Sequence, residues 1–332
     1  MLSCRAMFVI AHLSDPHLPI SGRLGAGEYF SKRLIGYVNW IRGRHTIHRG
    51  DIAEALVADL LAQNPDHIAM TGDLVNVGAN REWEPARVYM RALGTPDNVS
   101  AVPGNHDAYV GGALAGMRET YAPYTSLDKE RVSATASPLP PMPDLRKWQD
   151  KDGYPFLRRR GQIAIVGIST AVPTAPFMAT GKIGREQLSG LDSLLKSLRG
   201  SRLFRVILIH HPPTHELAHG RRGLDDANAL KEIIARHGAE LILHGHNHTA
   251  TISAMAGPRT SVPVIGVPSA SARPTTRKPG AGYALFHIGG QAGAWNVTFI
   301  RRGLSSAYEE DGEIEIVEQT RQILPVSSPV SA

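Results

Sequence analysis

The sequence predicts an α/β fold, one large domain built on packed sheets and closed by a strand-rich C-terminal portion. Three observations lead there. From Phe8 to Leu243, short apolar runs alternate with stretches whose apolar residues recur at helical spacing. After Thr249 the long helical pattern stops, and residues 250–305 offer only short strand-like runs and turns. The 332 residues, 42% apolar and 20% charged, suffice for a sizeable core, and neither an internal repeat nor a composition break marks a linker. The domain is drawn over residues 1–305, with 306–332 as a C-terminal extension whose small, polar end from Pro325 to Ala332 is expected to fray.

The elements follow in order. Phe8 to Ser14 reads as a buried strand that delivers Asp15-Pro16-His17, where Pro16 enforces an extended turn. Residues 18–50 break the rhythm as a basic and aromatic insertion. Asp51 to Gln63 carries Ile52, Ala55, Leu56 and Leu60 at helical spacing, with Asp51 at the expected cap. His67 to Met70 is a strand ending in Thr71-Gly72-Asp73. A helix over Arg81 to Leu93 leads to a strand at Val99 to Val102 and the loop Pro103-Gly104-Asn105-His106-Asp107. Residues 110–155, rich in Pro and polar residues with patchy helix near Ala115 to Tyr121, read as a surface excursion placed to cover the loops. Ile163 to Ile168 is a strand, Arg185 to Leu198 a helix, and Phe204 to Ile209 a strand running into His210-His211. A helix over Asp225 to His237 precedes the strand Glu240 to Leu243, which delivers His244-Gly245-His246-Asn247-His248. Short strands are expected at Val262 to Val267, Tyr283 to Ile288, Trp295 to Ile300 and Glu313 to Val317.

Charge and cysteine usage narrow the class. The net charge is +6, yet aromatics are sparse and the basic residues are scattered except in one segment. This argues against a nucleic-acid polymer as partner and for a locally basic site that meets a small anion. Cys4 is the only cysteine, so no disulfide framework exists. The first apolar run is broken at once by His12 and Asp15, so no leader or membrane span is readable and a cytoplasmic location is expected. The exception is 18–50, where Arg23, Lys32, Arg33, Arg42, Arg44 and Arg49 stand with His45 and His48 against Glu28, interleaved with Tyr29, Phe30, Tyr37, Trp40 and aliphatic residues. It reads either as an exposed helix that docks its aromatics, or as a basic flap whose Arg42 and Arg44 hold substrate phosphate or approach an anionic membrane.

Loops leaving the carboxyl ends of strands are where ligand sites assemble in open α/β sheets. Five such loops carry donors: Asp15 with His17, Asp73, Asn105 with His106, His210, and His246 with His248. Mixed carboxylate and imidazole donors without thiolate suit Fe, Mn or Zn. They are too many for one tetrahedral ion and point to two. Two divalent ions about 3.5–4 Å apart repel by an energy on the order of 20 kcal/mol at an effective dielectric of about 20, so a carboxylate between them is required. Asp73, alone on its loop before Leu74 and Val75, is the expected bridge, and a hydroxide held between the ions is the expected nucleophile toward phosphorus. His211 is set aside because an extended backbone turns it away from His210, and His244 reads as a supporting or core histidine. His12, His45, His48, His67, His215, His219, His237 and His287 show no usable pattern.

Asp15-x-His17, Gly72-Asp73, Gly104-Asn105-His106-Asp107, His210 and Gly245-His246-x-His248 resemble, in order, the five signature blocks of the calcineurin-like metallophosphoesterase superfamily. The resemblance implies a four-layer αββα sandwich with a two-metal site between two sheets. It implies that Asp15, His17 and His248 bind one metal, that Asn105, His210 and His246 bind the other, and that Asp73 bridges. His106 would stabilise the transferring phosphoryl group or protonate the leaving oxygen, with Asp107 orienting it. Asn105, His106, Arg42 and Arg44 are the expected substrate contacts. Asp73-Leu74-Val75 lacks the Asp-Arg-Gly continuation of the serine/threonine protein phosphatases, and the other blocks are closer to class III cyclic nucleotide phosphodiesterases and glycerophosphodiesterases. A phosphodiesterase acting on such substrates is therefore the expectation. The long basic segment 18–50 keeps a membrane-associated hydrolase of a lipid phosphodiester or pyrophosphate as the alternative, ahead of a non-catalytic phosphate-binding module. Related enzymes often dimerise, and the strand-rich region after residue 250 is where a homodimer surface would lie.

Overall fold

The computed structural model describes residues 7–126 and 143–326, apart from positions 21, 30, 215, 218, 219, 277 and 311. Its strands are β1 (Phe8–Leu13), β2 (His67–Met70), β3 (Val99–Ala101), β4 (Phe156–Arg160), β5 (Ile163–Gly167), β6 (Phe204–Leu208), β7 (Leu241–His244), β8 (Thr251–Ala256), β9 (Ser261–Gly266), β10 (Gly282–Gln291), β11 (Ala294–Leu304) and β12 (Ile316–Leu324). Its helices are α1 (Lys32–Asn39), α2 (His45–Ile47), α3 (Gly50–Ala62), α4 (Trp83–Leu93), α5 (Leu114–Thr125), α6 (Arg185–Ser197) and α7 (Ala227–His237).

The strands form two six-stranded sheets, ordered β12-β11-β10-β1-β2-β3 and β4-β5-β6-β7-β9-β8. Strands β1, β2 and β3 run parallel, as do β5, β6, β7 and β9, while the remaining neighbours pair antiparallel. Side chains alternate across a strand, so each buried strand feeds two apolar layers. Ile10, Ala69, Ile165, Val206, Leu243 and Phe286 meet between the sheets. Ala11, Leu13, Ile68 and Met70 turn the other way and pack under α3, α4 and α5. Ala164, Val166, Ile207 and Ile242 do the same beneath α6 and α7. The result is the expected four-layer αββα sandwich. Each helix docks one apolar stripe, such as Ile52, Leu56 and Leu60 on α3 or Leu191, Leu194 and Leu195 on α6.

The expected elements recur with shifted ends, and three readings change. Asp51 lies inside the first turn of α3, whose cap is Arg49, and its carboxylate pairs with Arg49 at 2.5 Å. Within 110–155, α5 is longer than the expected patch and is held in the core by Met117, Tyr121 and Tyr124, so it supports the sheet instead of covering the loops. Residues 127–142 of that excursion lie outside the described residues. Strands β4 and β8 went unread, the first because Arg158, Arg159 and Arg160 mask its pattern, the second because half of it is exposed. Residues 306–324 do not trail from the domain, since β12 pairs along β11 and closes an edge of the first sheet. The tail from 327 to 332 and the N-terminal residues through 6, Cys4 among them, lie outside the described residues. No helix among the described residues is long and apolar enough to cross a membrane.

The insertion 18–50 folds as α1, a π-helical turn at Trp40–Arg44, and α2. It closes a small apolar cluster of Ile20, Leu24, Tyr37, Val77 and Ala79. Arg33 is buried there and donates to the carbonyls of Val77 and Gly78 at 3.3 and 2.6 Å. Lys32 reaches Thr174 Oγ1 at 2.8 Å. Much of the segment's basic character is therefore structural.

Candidate metal centre

The loops after β1, β2, β3, β6 and β7 converge at one end of the two sheets. In one set, His17 Nε2 lies 3.1 Å from His248 Nε2 and 3.9 Å from Asp15 Oδ1, and His248 Nε2 lies 3.3 Å from Asp15 Oδ1. In the other, Asn105 Oδ1 lies 3.2 Å from His210 Nε2 and 2.9 Å from His246 Nδ1. Asp73 Oδ2 stands between them, 3.7 Å from His17 Nε2 and 3.4 Å from His210 Nε2. Its partner oxygen Oδ1 accepts the His106 amide at 2.7 Å, so Oδ2 is the atom turned to both sets.

These separations test whether the residues fit metal ions. Donors held about 2.1 Å from one ion sit about 3.0 Å apart in an octahedron and about 3.4 Å apart in a tetrahedron. Most of the separations lie at or near those values, and the widest, 3.9 Å between His17 Nε2 and Asp15 Oδ1, is still shorter than the span of about 4.2 Å between donors on opposite sides of one ion. Asp15 Oδ1 is buried and, apart from the 3.3 Å approach of His248 Nε2, has no hydrogen-bond partner among the described residues, which is costly for a polar atom unless a ligand compensates. The remaining ring nitrogens of His17 and His210 face the carbonyls of Val75 and Thr71, at 3.2 and 2.6 Å. A carbonyl only accepts, so Nδ1 carries a proton and Nε2 is the nitrogen left to face an ion. The donor set fits two transition ions.

The backbone is bent to bring these atoms together. Asp15, His17, Asp73, His246 and His248 all adopt positive φ, at 55°, 41°, 58°, 69° and 54°. That region is strained for non-glycine residues and concentrates at functional sites. The bends are tied down by Asp15 N–H to the Gly72 carbonyl at 2.9 Å, His17 N–H to the Asp73 carbonyl at 3.1 Å and His246 N–H to Asp15 Oδ2 at 2.9 Å. A Cβ at Gly104 would strike the Asp73 carboxylate and the His210 ring, and one at Gly245 the Ser14 hydroxyl and the Asp15 carboxylate.

The electrostatics call for positive charge. Burial alone would lower His210, but the Asp73 carboxylate beside it lifts it to about 9. Burial works to raise Asp15, yet His248 holds it below the usual carboxylate range. Around the rim, Arg44 places Nη1 3.3 Å from His106 Nε2 and Nη2 3.2 Å from His17 Nε2. Arg222 donates to the His246 carbonyl at 3.2 Å and Lys278 to the Asn247 carbonyl at 3.0 Å.

Asp15, His17, Asp73, Asn105, His210, His246 and His248 thus come together, with His106 beside them. Two expectations need correction. Asp107 does not touch the His106 ring. Its carboxylate accepts the amides of Asp73, Leu74, Val75 and Gly104 at 2.9, 3.0, 3.3 and 2.8 Å and the Tyr121 hydroxyl at 2.7 Å. His106 is oriented instead by the Asn76 carbonyl, 2.5 Å from Nδ1. Arg42 is exposed on the π-helical turn and has no contact with these donors, leaving Arg44 as the arginine that enters. His211 packs beside His210 and His246 but spends its nitrogens on Thr170 Oγ1 and the Ala179 carbonyl, at 2.7 and 3.1 Å. His244 is buried with Nδ1 3.0 Å from the Gly245 carbonyl. His215 and His219 lie outside the described residues.

Sequence reasoning missed His48, which stacks edge-on against His17 and His248 with ring centroids 4.7 and 5.4 Å away. It also missed Lys278. No spacing signal could have found them, because each belongs to a loop outside the recurring blocks. A cleft of about 610 Å³ between α6 and α7 shares no residue with this cluster and gathers no comparable donor set among the described residues.

Comparison with known proteins matches residues 8–250 to the model of the calcineurin-like phosphoesterase family. A probable cyclic nucleotide phosphodiesterase of Synechococcus sp. is 26% identical over 203 residues, a match that spans 60% of this chain and 64% of that relative. Among solved structures, a dimetal phosphatase from Danio rerio superposes with a TM-score of 0.56 at 12% identity, covering 94% of this chain and 99% of the other. A purple acid phosphatase from yellow lupin, Lupinus luteus, superposes with a TM-score of 0.53 at 13% identity, covering 93% of this chain and 53% of the other. These superpositions bear on the fold alone.

Proposed function

We propose that this chain, which belongs to the calcineurin-like phosphoesterase family, is a phosphodiesterase that hydrolyses a small diester, a cyclic nucleotide or a glycerophosphodiester. Family membership supports a metal-dependent phosphoester hydrolase, and calcineurin-like metallophosphoesterases bind two metal ions. The observation that carries the reading is the pair of donor sets meeting at Asp73 Oδ2 with His106 alongside. Diester chemistry is supported by the name of the Synechococcus relative.

Asp15, His17 and His248 would hold one ion, Asn105, His210 and His246 the other, and Asp73 would hold both. The imidazole-rich set favours Fe, Mn or Zn over magnesium. When bound, the ions supply Lewis acidity toward phosphoryl oxygens and a water acidic enough to attack near neutral pH. The protein's own part is positioning and proton transfer. Arg44 lies between His106 and His17, where its guanidinium can hold a non-bridging phosphoryl oxygen with two donors. His106 keeps its proton on Nδ1, toward the Asn76 carbonyl, so Nε2 faces the substrate side. Burial lowers this ring to about 4, and it becomes a donor to the leaving oxygen only when the anionic phosphoryl group beside it favours the imidazolium.

The test is a panel: metallated protein with bis- and mono-p-nitrophenyl phosphate, cyclic nucleotides, glycerophosphodiesters and a lipid pyrophosphate. Preferential turnover of diesters over the monoester is expected. A protein carrying two ions that hydrolyses none of them would overturn the reading. A second reading, hydrolysis at a lipid surface, is favoured by Leu34 and Ile41, 39% and 49% exposed beside Arg42 on the insertion. Sedimentation with anionic vesicles that is lost in Arg42→Glu would favour it over the first.

A further inference from the structure

His48 belongs to none of the recurring blocks, yet its ring reaches His17 and His248. It follows α2 in extended conformation, and the chain there is clamped to a distant loop. Arg49 N–H donates to the Ser271 carbonyl at 2.9 Å and Arg273 N–H to the Ile47 carbonyl at 2.8 Å. The residue is 4% exposed. One nitrogen each of His17, His48 and His248 lies within 4.8 Å of the other two. Two donors on one ion of this kind sit at most about 4.2 Å apart, so shifts of a few tenths of an ångström bring all three onto a common ion.

The hydrogen bonds around His48 say which nitrogen is free. Ser269 Oγ lies 2.6 Å from the Asp15 carbonyl, which can only accept, so the Ser269 proton is committed there. His48 Nδ1 lies 2.9 Å from Ser271 Oγ and 3.3 Å from Ser269 Oγ. Ser269 Oγ also accepts the Ser271 N–H at 3.3 Å. Nδ1 is thus engaged by the two serine hydroxyls, and Nε2, which has no hydrogen bond among the described residues, is the nitrogen left to face an ion. Orientation of a ligating imidazole by a bond from its other nitrogen is the usual support for a metal ligand.

We infer that His48 is an additional imidazole ligand to the ion held by Asp15, His17 and His248. The insertion thereby contributes to the metal centre itself, and the two ions are unequal: one faces three imidazoles, the other two. The inference rests on the two-ion reading above, and the experiment separates the two.

Wild-type protein, His48→Gln and Ser271→Ala are loaded with cobalt(II), the visible absorption is recorded, and affinities are measured by competition with a chelator. In His48→Gln one ion should weaken by at least about tenfold with a changed cobalt spectrum, while the second keeps its affinity. Ser271→Ala, which keeps the imidazole but frees its orientation, should weaken the same ion to a lesser degree, and it carries the test if the glutamine variant fails to fold. Two ions bound with wild-type affinity and an unchanged spectrum in both variants would overturn the inference and leave the two-ion reading standing. Wild-type protein that binds no ion would remove that reading as well.

Discussion

Asp107 directs its carboxylate at four backbone amides and the Tyr121 hydroxyl, and the loop that carries Asp73 is folded around it. Burial and the nearby Asp73 charge push its carboxyl up to about 7 against the pull of those donors. An asparagine of equal size would turn an NH2 group toward donors and leave some unpaired, at about 1–3 kcal/mol for each. Asp107→Asn should therefore unfold at lower denaturant than wild type in the presence of chelator, where metal loss cannot contribute. An unchanged midpoint would mean the loop holds its shape without the carboxylate. At this scale the sequence was informative about donor type and nearly silent about direction. Asp15, His17, Asp73, Asn105, His210, His246 and His248 were legible because each stands at the end of an apolar run. That Asp107 faces away from its neighbour His106 depends on a loop bend no spacing reveals.

Among the elements, the insertion 18–50 departed furthest from expectation. Its composition indicated a basic surface, whereas the fold buries Arg33, ties down Lys32, and brings Arg44 inward from the turn after α1 and His48 from the end of α2. Helix periodicity could show that α1 exists, but not which neighbour it meets. What lets it approach is Gly36, where a Cβ would lie 2.6 Å from both Val77 Cγ1 and Tyr109 Oη. Gly36→Val should push the helix away, cost about 1–3 kcal/mol in overpacking, and raise KM for the proposed diester substrate as Arg44 follows. The check is a denaturation midpoint together with KM, and a variant equal to wild type in both would show that the segment is not seated through this contact. The regular strand-to-helix units were legible throughout, since each buries an apolar face. Strands β4 and β8 were not, because arginines and exposure break their alternation.

Across the whole molecule, buried histidines set the response to acid. Burial lowers His12 and His211 to about 3, His244 and His106 to about 4, and His48 to about 2. Each binds fewer protons folded than unfolded between these values and about 6.5. Its contribution is therefore complete above about 6.5 and lost as pH falls below it, by about 1.4 kcal/mol per pH unit. Asp107, raised to about 7, runs the other way and offsets one of the five. His210, lifted to about 9, changes between about 9 and 6.5 and is level below. In chelator, stability should fall by more than about 1.4 kcal/mol per pH unit from pH 6 to pH 5, read by urea denaturation at each pH. A flat profile would show that these rings accept protons without opening the fold.

The positive φ angles at Asp15, His17, Asp73, His246 and His248 have one more consequence. The kinks are fastened by main-chain bonds between neighbouring loops, so the grip is shaped before any cargo arrives. Loading becomes an act of recognition and not of folding, and a hand already half closed can release its contents and take them up again without losing its form.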